Sequence, residues 1–201
     1  MSLIKPPPHR ALFVSTDQTS LLQLQRDRLI QNWRKANNQP YPRYEQIRTS
    51  FREQFEALCR FVADRRLGAC VPNQCEVTYV NHIEWGRKGQ PPEDLSEVLA
   101  SWTAKNTDGF LGTPEQVDLV THHIIRTEGV PVGRLHIAAN PRYRGDDLQP
   151  MLVLTLTARG RPTSEGVDDV MRFLDLGHEH VVRGFASVTT PEMHKRWGRR
   201  A

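Results

Sequence analysis

The sequence has few cysteines and no long apolar run. Three cysteines occur in 201 residues, at Cys59, Cys70 and Cys75, and none of them forms a CxxC pair. This argues against both a disulfide framework and a zinc knuckle. No stretch approaches the roughly 20 apolar residues that cross a bilayer, so we expect no membrane association. The N-terminus reads MSLIKPPPHR, with prolines where a secretory signal needs an apolar segment, which predicts a cytoplasmic protein.

Sequence motifs for catalysis and cofactor binding are also missing. There is no glycine-rich phosphate loop, no GxSxG elbow, and no cysteine beside an obvious local base. His122 and His123 point to opposite sides of a strand, and His178 and His180 point to different faces of a helix. Neither pair is therefore expected to converge on one metal ion. We expect no metal and no cofactor, and the sequence favours a protein that is not an enzyme without deciding the point.

The net charge of +4 is unevenly placed. Basic residues are in excess between positions 26 and 66, and the last seven residues include Lys195, Arg196, Arg199 and Arg200. One interpretation is a surface that faces phosphate. The other is a solvated helix face followed by a frayed tail. The second is favoured because acidic residues lie among the basic ones in the 26–66 segment.

Hydrophobic periodicity predicts strands followed by a helix in the first part of the chain. A strand is predicted over 11–16, and the break in alternation within 21–33 predicts a hairpin that turns near Arg26 and Asp27. Apolar residues at helical spacing predict an amphipathic helix over about 43–66, ended by Gly68. A further strand is predicted over 75–85.

The second part repeats this order. Strands are predicted over 117–127, 133–139 and 151–158, and a long helix over about 167–188. Thr190 and Pro191 predict the start of a short terminal helix, with threonine as N-cap. The segments 86–94 and 140–150 have the composition of loops, and 95–102 is predicted as a short helix.

These elements predict an α+β fold in which two long helices cover one curved antiparallel sheet. We expect a single domain over 11–190, with halves at about 11–85 and 117–190, and a weak internal duplication because each half places its strands before one helix. Residues 1–10 are expected to be a disordered or linker N-terminus. Residues 191–201 are expected to form a short helix and a basic tail.

The most unusual composition lies in the polar hairpin. Its arginines, amides and tryptophan are suited to binding an anion or stacking a base. The candidate binding residues there are Gln25, Arg26, Arg28, Asn32, Trp33 and Arg34. On this hairpin Gln23 and Gln25 are expected on one face, and Arg28, Ile30 and Asn32 on another. The alternative, an exposed sheet face with amide ladders, is slightly favoured. Asn81, a polar residue inside a strand, is expected to meet this face.

His178 is the second candidate. It interrupts the apolar stripe of the second long helix, which is predicted to comprise Met171, Leu174, Val181, Phe185 and Val188. A histidine there could act as a general base or as a pH-sensitive contact in a pocket. The favoured alternative is a core histidine that is hydrogen-bonded to a neighbouring strand.

Four segments carry a family resemblance. They are LLQLQRDRLIQNWRK (21–35), YPRYEQIRTSF (41–51), EVTYVNHIE (76–84) and LDLGHEHVVRGFASVTTPEMHKRWGR (174–199). In this order they resemble a sporadically distributed family of uncharacterised prokaryotic proteins. The resemblance implies a shortened member that lacks an N-terminal strand and helix, so that a sheet edge is open. It brings no activity or residue role. The patchy distribution suggests accessory genes, such as defence or toxin–antitoxin systems.

We therefore expect a non-enzymatic module that binds a protein or a small ligand through the sheet and the two long helices. The alternative is a nucleic-acid-binding protein that uses Arg26, Arg28, Trp33, Arg34, Lys35 and the basic tail. A homodimer formed through an open sheet edge is a further expectation.

Overall fold

The structure is a computed structural model that describes residues 9–36, 39–85, 95–103, 110–111, 114, 117–145 and 147–199. The chain divides into two compact units, residues 1–70 and 71–201, and each is described by itself. Antiparallel strands combined with helices make this an α+β protein, as predicted. The single curved sheet was wrong, because the described strands form two sheets, one of three and one of four strands.

The first unit is a three-stranded meander followed by a helix. Its elements are β1 (Arg10–Val14), β2 (Ser20–Gln25), β3 (Leu29–Trp33) and α1 (Tyr44–Asp64). The strand order is β1-β2-β3. The predicted hairpin is confirmed, since Leu24 of β2 lies opposite Leu29 of β3. The break in alternation at residues 26–28 therefore marks a turn. Residues 1–8 of the predicted N-terminal linker lie outside the described residues, and Arg10 already belongs to β1.

The register of this hairpin corrects the predicted faces. Gln23 lies opposite Ile30, and Leu21 lies opposite Asn32. Directly opposed residues of an antiparallel pair share a face, so Gln23 and Gln25 are on the same face as Ile30 and Asn32. The predicted faces followed residue number, with the odd-numbered glutamines on one face and the even-numbered residues after the turn on the other. The turn pairs odd-numbered with even-numbered residues, which reverses that assignment.

Helix α1 has nearly the predicted bounds. Its Ser50 Oγ lies 3.1 Å from Nε2 of Gln31 on β3, and the rings of Phe51 and Phe55 stack with centroids 6.2 Å apart. The chain leaves the helix through Gly68, whose φ of +119° favours glycine. Among residues 9–36 and 39–70 no hydrophobic side chain is fully buried. The described part of this unit therefore has apolar contacts but no fully buried hydrophobic core.

The second unit contains the four-stranded sheet. Its elements are β4 (Cys75–Glu84), one 3-10 turn (Leu95–Glu97), β5 (Leu119–Thr127), β6 (Val130–Tyr143), β7 (Pro150–Gly160), α2 (Val167–Val188) and α3 (Pro191–Arg196). The strand order is β4-β7-β6-β5. Strand β4 was predicted in the first half of the fold. It pairs along its whole length with β7 and so belongs to the second sheet. One domain over 11–190 stays a prediction.

Two loop and helix boundaries also differ from the prediction. The predicted loop 140–150 begins too early, because β6 continues to Tyr143, which pairs with Pro150. Strand pairing has here overcome the turn-forming composition of the segment. The predicted helix over 95–102 is reduced to the turn Leu95–Glu97. The predicted loop over 86–94 lies outside the described residues.

The core lies between α2 and one face of this sheet. The central strand β7 contributes Leu152, Leu154, Leu156 and Ala158, all fully buried. On α2 the buried residues are Val170, Met171, Phe173, Gly177 and Val181. The predicted stripe was therefore partly wrong. It omitted Val170 and Phe173, which are buried. It also omitted Gly177, whose missing side chain lets the helix lie close to Val77 and Ala158.

The C-terminal helix begins as predicted. The backbone N–H of Met193 donates to Oγ1 of Thr190 at 3.3 Å, and Pro191 occupies the first turn. Thr190 Oγ1 also donates to the carbonyl oxygen of Glu97 at 2.6 Å, which attaches the helix start to the 3-10 turn. Within the part of the chain that the structure describes, no helix is both long and apolar enough to cross a membrane.

Candidate functional site

A groove runs beside α2 on the covered face of the four-stranded sheet. Helix α2 packs mainly against β4 and β7 and makes fewer contacts with β6. A space of about 360 Å³ is left next to it, with Leu135, Ile137 and Val188 as an apolar floor. Gly184 of α2 also lines the groove. A Cβ at this position would lie 2.8 Å from Cδ2 of Leu135, so any larger residue would reduce the space.

Polar side chains of α2 form one wall of the groove. They are Glu179, His180, Arg183 and Ser187. The Nδ1 atom of His180 lies 2.9 Å from the carbonyl oxygen of Leu176. Because a carbonyl only accepts, Nδ1 carries the proton in this contact, and Nε2 of the neutral ring is an acceptor. Arg183 donates to Glu179 at 2.6 Å, with both side chains largely exposed.

The opposite wall is built from β5. His123 lines the groove, and its Nε2 lies 3.1 Å from Oγ1 of Thr121. The neighbouring His122 points to the other side of the sheet, as the alternation of a strand requires. In the part of the chain that the structure describes, no three histidine, cysteine or acidic side chains are grouped as metal ligands. The polar side chains of the two walls give the groove groups for hydrogen bonding and for charge recognition.

Sequence reasoning considered His123 and His180 only as members of metal-binding pairs and did not predict the groove. The sequence does contain a pattern that indicates the polar wall formed by α2. Glu179, Arg183 and Ser187 recur at steps of four, which places them on one side of a helix. This polar ridge runs beside the apolar stripe. The strand that forms the opposite wall of the groove could not be identified from the sequence, because the order of strands in the sheet is set by long-range pairing.

The six candidate residues of the hairpin do not converge. Trp33 lines a second hollow of about 260 Å³ in the first unit, together with Thr19, Gln31 and Ile47. Its ring meets Tyr41 edge-on, with centroids 4.8 Å apart. Trp33 is therefore packed against a neighbouring ring and only partly exposed.

The other five hairpin candidates lie elsewhere in the first unit. Arg26 and Arg28 are exposed in the turn, where Arg28 donates to the carboxylate of Asp27 at 3.1 and 3.0 Å. Gln25 and Asn32 lie on the sheet face opposite to that of Trp33. Arg34 Nε donates to the carbonyl oxygen of Gln18 at 3.1 Å. The hairpin thus distributes its polar groups over two faces and a tip.

Asn81 and His178 both belong to the second unit. Asn81 Nδ2 donates to the carbonyl oxygen of Leu154 at 3.2 Å, so it serves the pairing of β4 with β7. His178 Nδ1 lies 3.0 Å from the hydroxyl of Tyr79 on β4. Both side chains are half-buried. A histidine that is hydrogen-bonded to the adjacent strand is the arrangement expected when it attaches a helix to a sheet.

Two of the cysteines are poor nucleophiles. Burial, followed by the neighbouring thiol of Cys70, raises the pKa of Cys59 to about 11. Burial alone raises the pKa of Cys75 to about 11. Since the thiolate is the reactive form, both thiols are almost fully protonated at neutral pH. Neither is suited to covalent catalysis in this environment.

No protein-family model, curated protein or solved structure matches the chain. The resemblance to the sporadically distributed prokaryotic family, carried by the segments 21–35, 41–51, 76–84 and 174–199, stays a prediction.

Proposed function

We propose that the protein is a non-enzymatic binding module that holds a small ligand in the groove between α2 and the strands β5 and β6. The observation that carries this proposal is an apolar floor with polar groups on both walls. Ligand pockets of about 300–1,000 Å³ typically combine these two features, and the groove, at about 360 Å³, falls in that range. The ligand we expect has an apolar body and one anionic group.

The apolar floor and the polar walls contribute differently to ligand binding. Contact with Leu135, Ile137 and Val188 removes apolar ligand surface from water, which supplies non-directional binding energy. The guanidinium of Arg183 and the ring of His123 then fix the orientation of the ligand's polar end.

The ion pair between Arg183 and Glu179 does not prevent this use. Both side chains are exposed, with 78% and 53% of their surfaces accessible, and pairs of this kind contribute only about 0–1 kcal/mol. A ligand carboxylate, sulfonate or phosphate can therefore replace Glu179 at little cost. Arg183 offers it a planar set of donors.

The test uses anilinonaphthalene sulfonate, a fluorescent probe with an apolar body and one anionic group. We expect saturable binding to the full chain under native conditions. Ser187→Phe would place a ring in the groove and should abolish that binding. Val182→Phe is the matched control, because Val182 is an exposed residue of α2 that does not line the groove. Equal binding by both variants would refute the groove as the ligand site.

Nucleic-acid binding is the alternative proposal. Arg26 and Arg28 lie at an exposed hairpin tip, and α3 ends in basic residues. The pairing of Arg28 with Asp27 and the packing of Trp33 against Tyr41 reduce its support. Binding of a random oligonucleotide that weakens steeply with salt, and that weakens further in Arg26→Gln, would favour this alternative. No binding at low salt would remove it.

A protein partner, a homodimer and a cytoplasmic location stay predictions. Strands β1 and β3 are the two edges of the first sheet, and β1 is exposed along its length. Edge strands are the places where a further strand can pair. The mass of the full chain in solution would test the homodimer.

A further inference from the structure

The face of the four-stranded sheet opposite α2 carries a pair of histidines. Side chains alternate between the two faces of a strand, so His122 of β5 and His136 of β6 both point away from the helix. The two residues lie directly opposite each other in the register of the strands. Their ring centroids are 4.5 Å apart, and the ring planes are inclined by 65°.

We propose that His122 and His136 form a two-histidine site for a divalent transition-metal ion such as Zn²⁺ or Ni²⁺. Imidazole nitrogen is a preferred ligand of these ions. With Zn–N distances of about 2.0–2.1 Å and tetrahedral angles, two coordinating nitrogens lie about 3.3 Å apart. Because the two rings belong to directly opposed residues and their centroids are 4.5 Å apart, the proposal requires rotation of the two side chains and no change in strand register. Water completes the coordination.

The chemistry of the two rings meets the requirement of a metal. A metal ion binds the lone pair of a ring nitrogen that carries no proton, and a neutral imidazole offers one such nitrogen in either tautomer.

Charged groups from the neighbouring strands limit the affinity without preventing binding. Arg134 of β6 and Arg159 of β7 contribute positive charge near His136, and Glu76 of β4 contributes negative charge. Arg159 and Glu76 are ion-paired at 2.7 Å, so their fields partly cancel. Thr157 lies opposite His136 on the same face, and its hydroxyl is 3.0 Å from that of Thr78. These hydroxyls can hydrogen-bond metal-bound water.

The site has two protein ligands, which is fewer than a structural zinc site has. Structural sites are closed by four protein ligands, whereas open sites keep positions for water or another ligand. The pair therefore fits an exchangeable ion on the exposed side of the sheet. Sequence reasoning compared histidines that are neighbours in sequence, and it missed this pair because only the strand register brings positions 122 and 136 together.

The experiment is a calorimetric titration of the untagged full chain with ZnCl₂, repeated with NiCl₂. We expect one ion per chain, bound more weakly as the pH falls because protons compete for both rings. Loss of an outer-shell partner alone typically costs about 10–100-fold in metal affinity. His122→Gln and His136→Gln should therefore each weaken binding at least about tenfold.

His82→Gln is the matched control. His82 lies on β4, on the same face of the sheet, and is opposite Val153 in the register. It should leave the affinity unchanged. The proposal is overturned if the wild-type chain binds neither ion, if His122→Gln binds as tightly as wild type, or if His82→Gln loses as much affinity. Because His122 is exposed, its variant is expected to fold, and it decides the question even if His136→Gln does not fold.

Discussion

The hydroxyl of Tyr79 lies 3.0 Å from Nδ1 of His178, and this contact joins β4 to α2. Tyr79 and His178 are both half-buried, so the bond is partly shielded from water. Among the strands that the structure describes, β4 lies at an edge of its sheet and pairs with β7 alone. A side-chain bond to the helix therefore adds a second attachment for this strand.

Tyr79→Phe should lower the stability of the protein. The variant keeps the ring and removes the hydroxyl, and the loss of one such bond costs about 1 kcal/mol. Chemical unfolding at neutral pH measures the change. Tyr143→Phe is the control, because Tyr143 is 55% exposed and a surface change of this size is usually within about 0.5 kcal/mol. Equal effects of the two substitutions would show that the bond to His178 adds nothing.

Gly160→Ala should be strongly destabilising. A Cβ at Gly160 would overlap the carbonyl oxygen of Val132 and the ring of Phe173. Neither neighbour can easily move, since Val132 belongs to the paired strand β6 and Phe173 is buried. We expect a loss of about 3 kcal/mol, the upper end of the range for overpacking. Thermal unfolding would measure it.

Gly145→Ala is the matched control for that substitution. No atom lies within 4 Å of a Cβ built at Gly145, so the variant should unfold close to the wild-type temperature. A Gly160→Ala protein as stable as Gly145→Ala would show that β6 and β7 can separate to admit a methyl group.

The arrangement of strands and helices could largely be predicted from the sequence. The hairpin of β2 and β3 follows from one break in alternation, and α1 follows from a regular apolar spacing ended by Gly68. Both signals are local, because each is read from one continuous segment of the sequence. The pairing of β4 with β7 joins residues such as Val80 and Thr155, which no local pattern relates. The number of sheets was therefore wrong.

The candidate groove was harder to predict for a related reason. Its floor comes from β6 and from Val188 at the end of α2, and its walls come from α2 and β5, so the groove can be identified only once the strand order is known. Gly184 adds a second difficulty. A glycine in a helix gives no hydrophobic signal, yet here it is one of the residues that shape the space. Composition directed attention to the hairpin, where polar residues are dense but divided between opposite faces.

Asp169 should make the stability depend on acid pH. Hydrogen bonds from Ser164, Thr163 and Arg172 lower the pKa of Asp169 from 3.8 to about 2. A carboxyl with a lowered pKa in the folded state stabilises the fold above its ordinary pKa, and this contribution is lost as the pH falls toward the folded value. Asp169→Asn should therefore be less stable than wild type at neutral pH, and the difference should shrink between about pH 4 and pH 2. A difference that stays constant over this window would contradict the prediction.

The two compact units should differ in their ability to fold alone. Every buried hydrophobic side chain among the described residues lies at position 75 or beyond, and fully buried examples include Leu99, Ile125, Leu154 and Met171. A fragment of residues 71–201 keeps this core intact and should unfold in one cooperative transition in urea. A fragment of residues 1–70 has no fully buried hydrophobic side chain among its described residues, and chains of this length rarely gain enough free energy of folding from a single small core. It should show no cooperative transition, and the full chain measured under the same conditions is the reference.

A cooperative transition in the 1–70 fragment would mean that half-buried contacts, such as the stacked rings of Phe51 and Phe55, are enough to keep it folded. Failure of the 71–201 fragment to fold would mean that its core depends on residues before position 71.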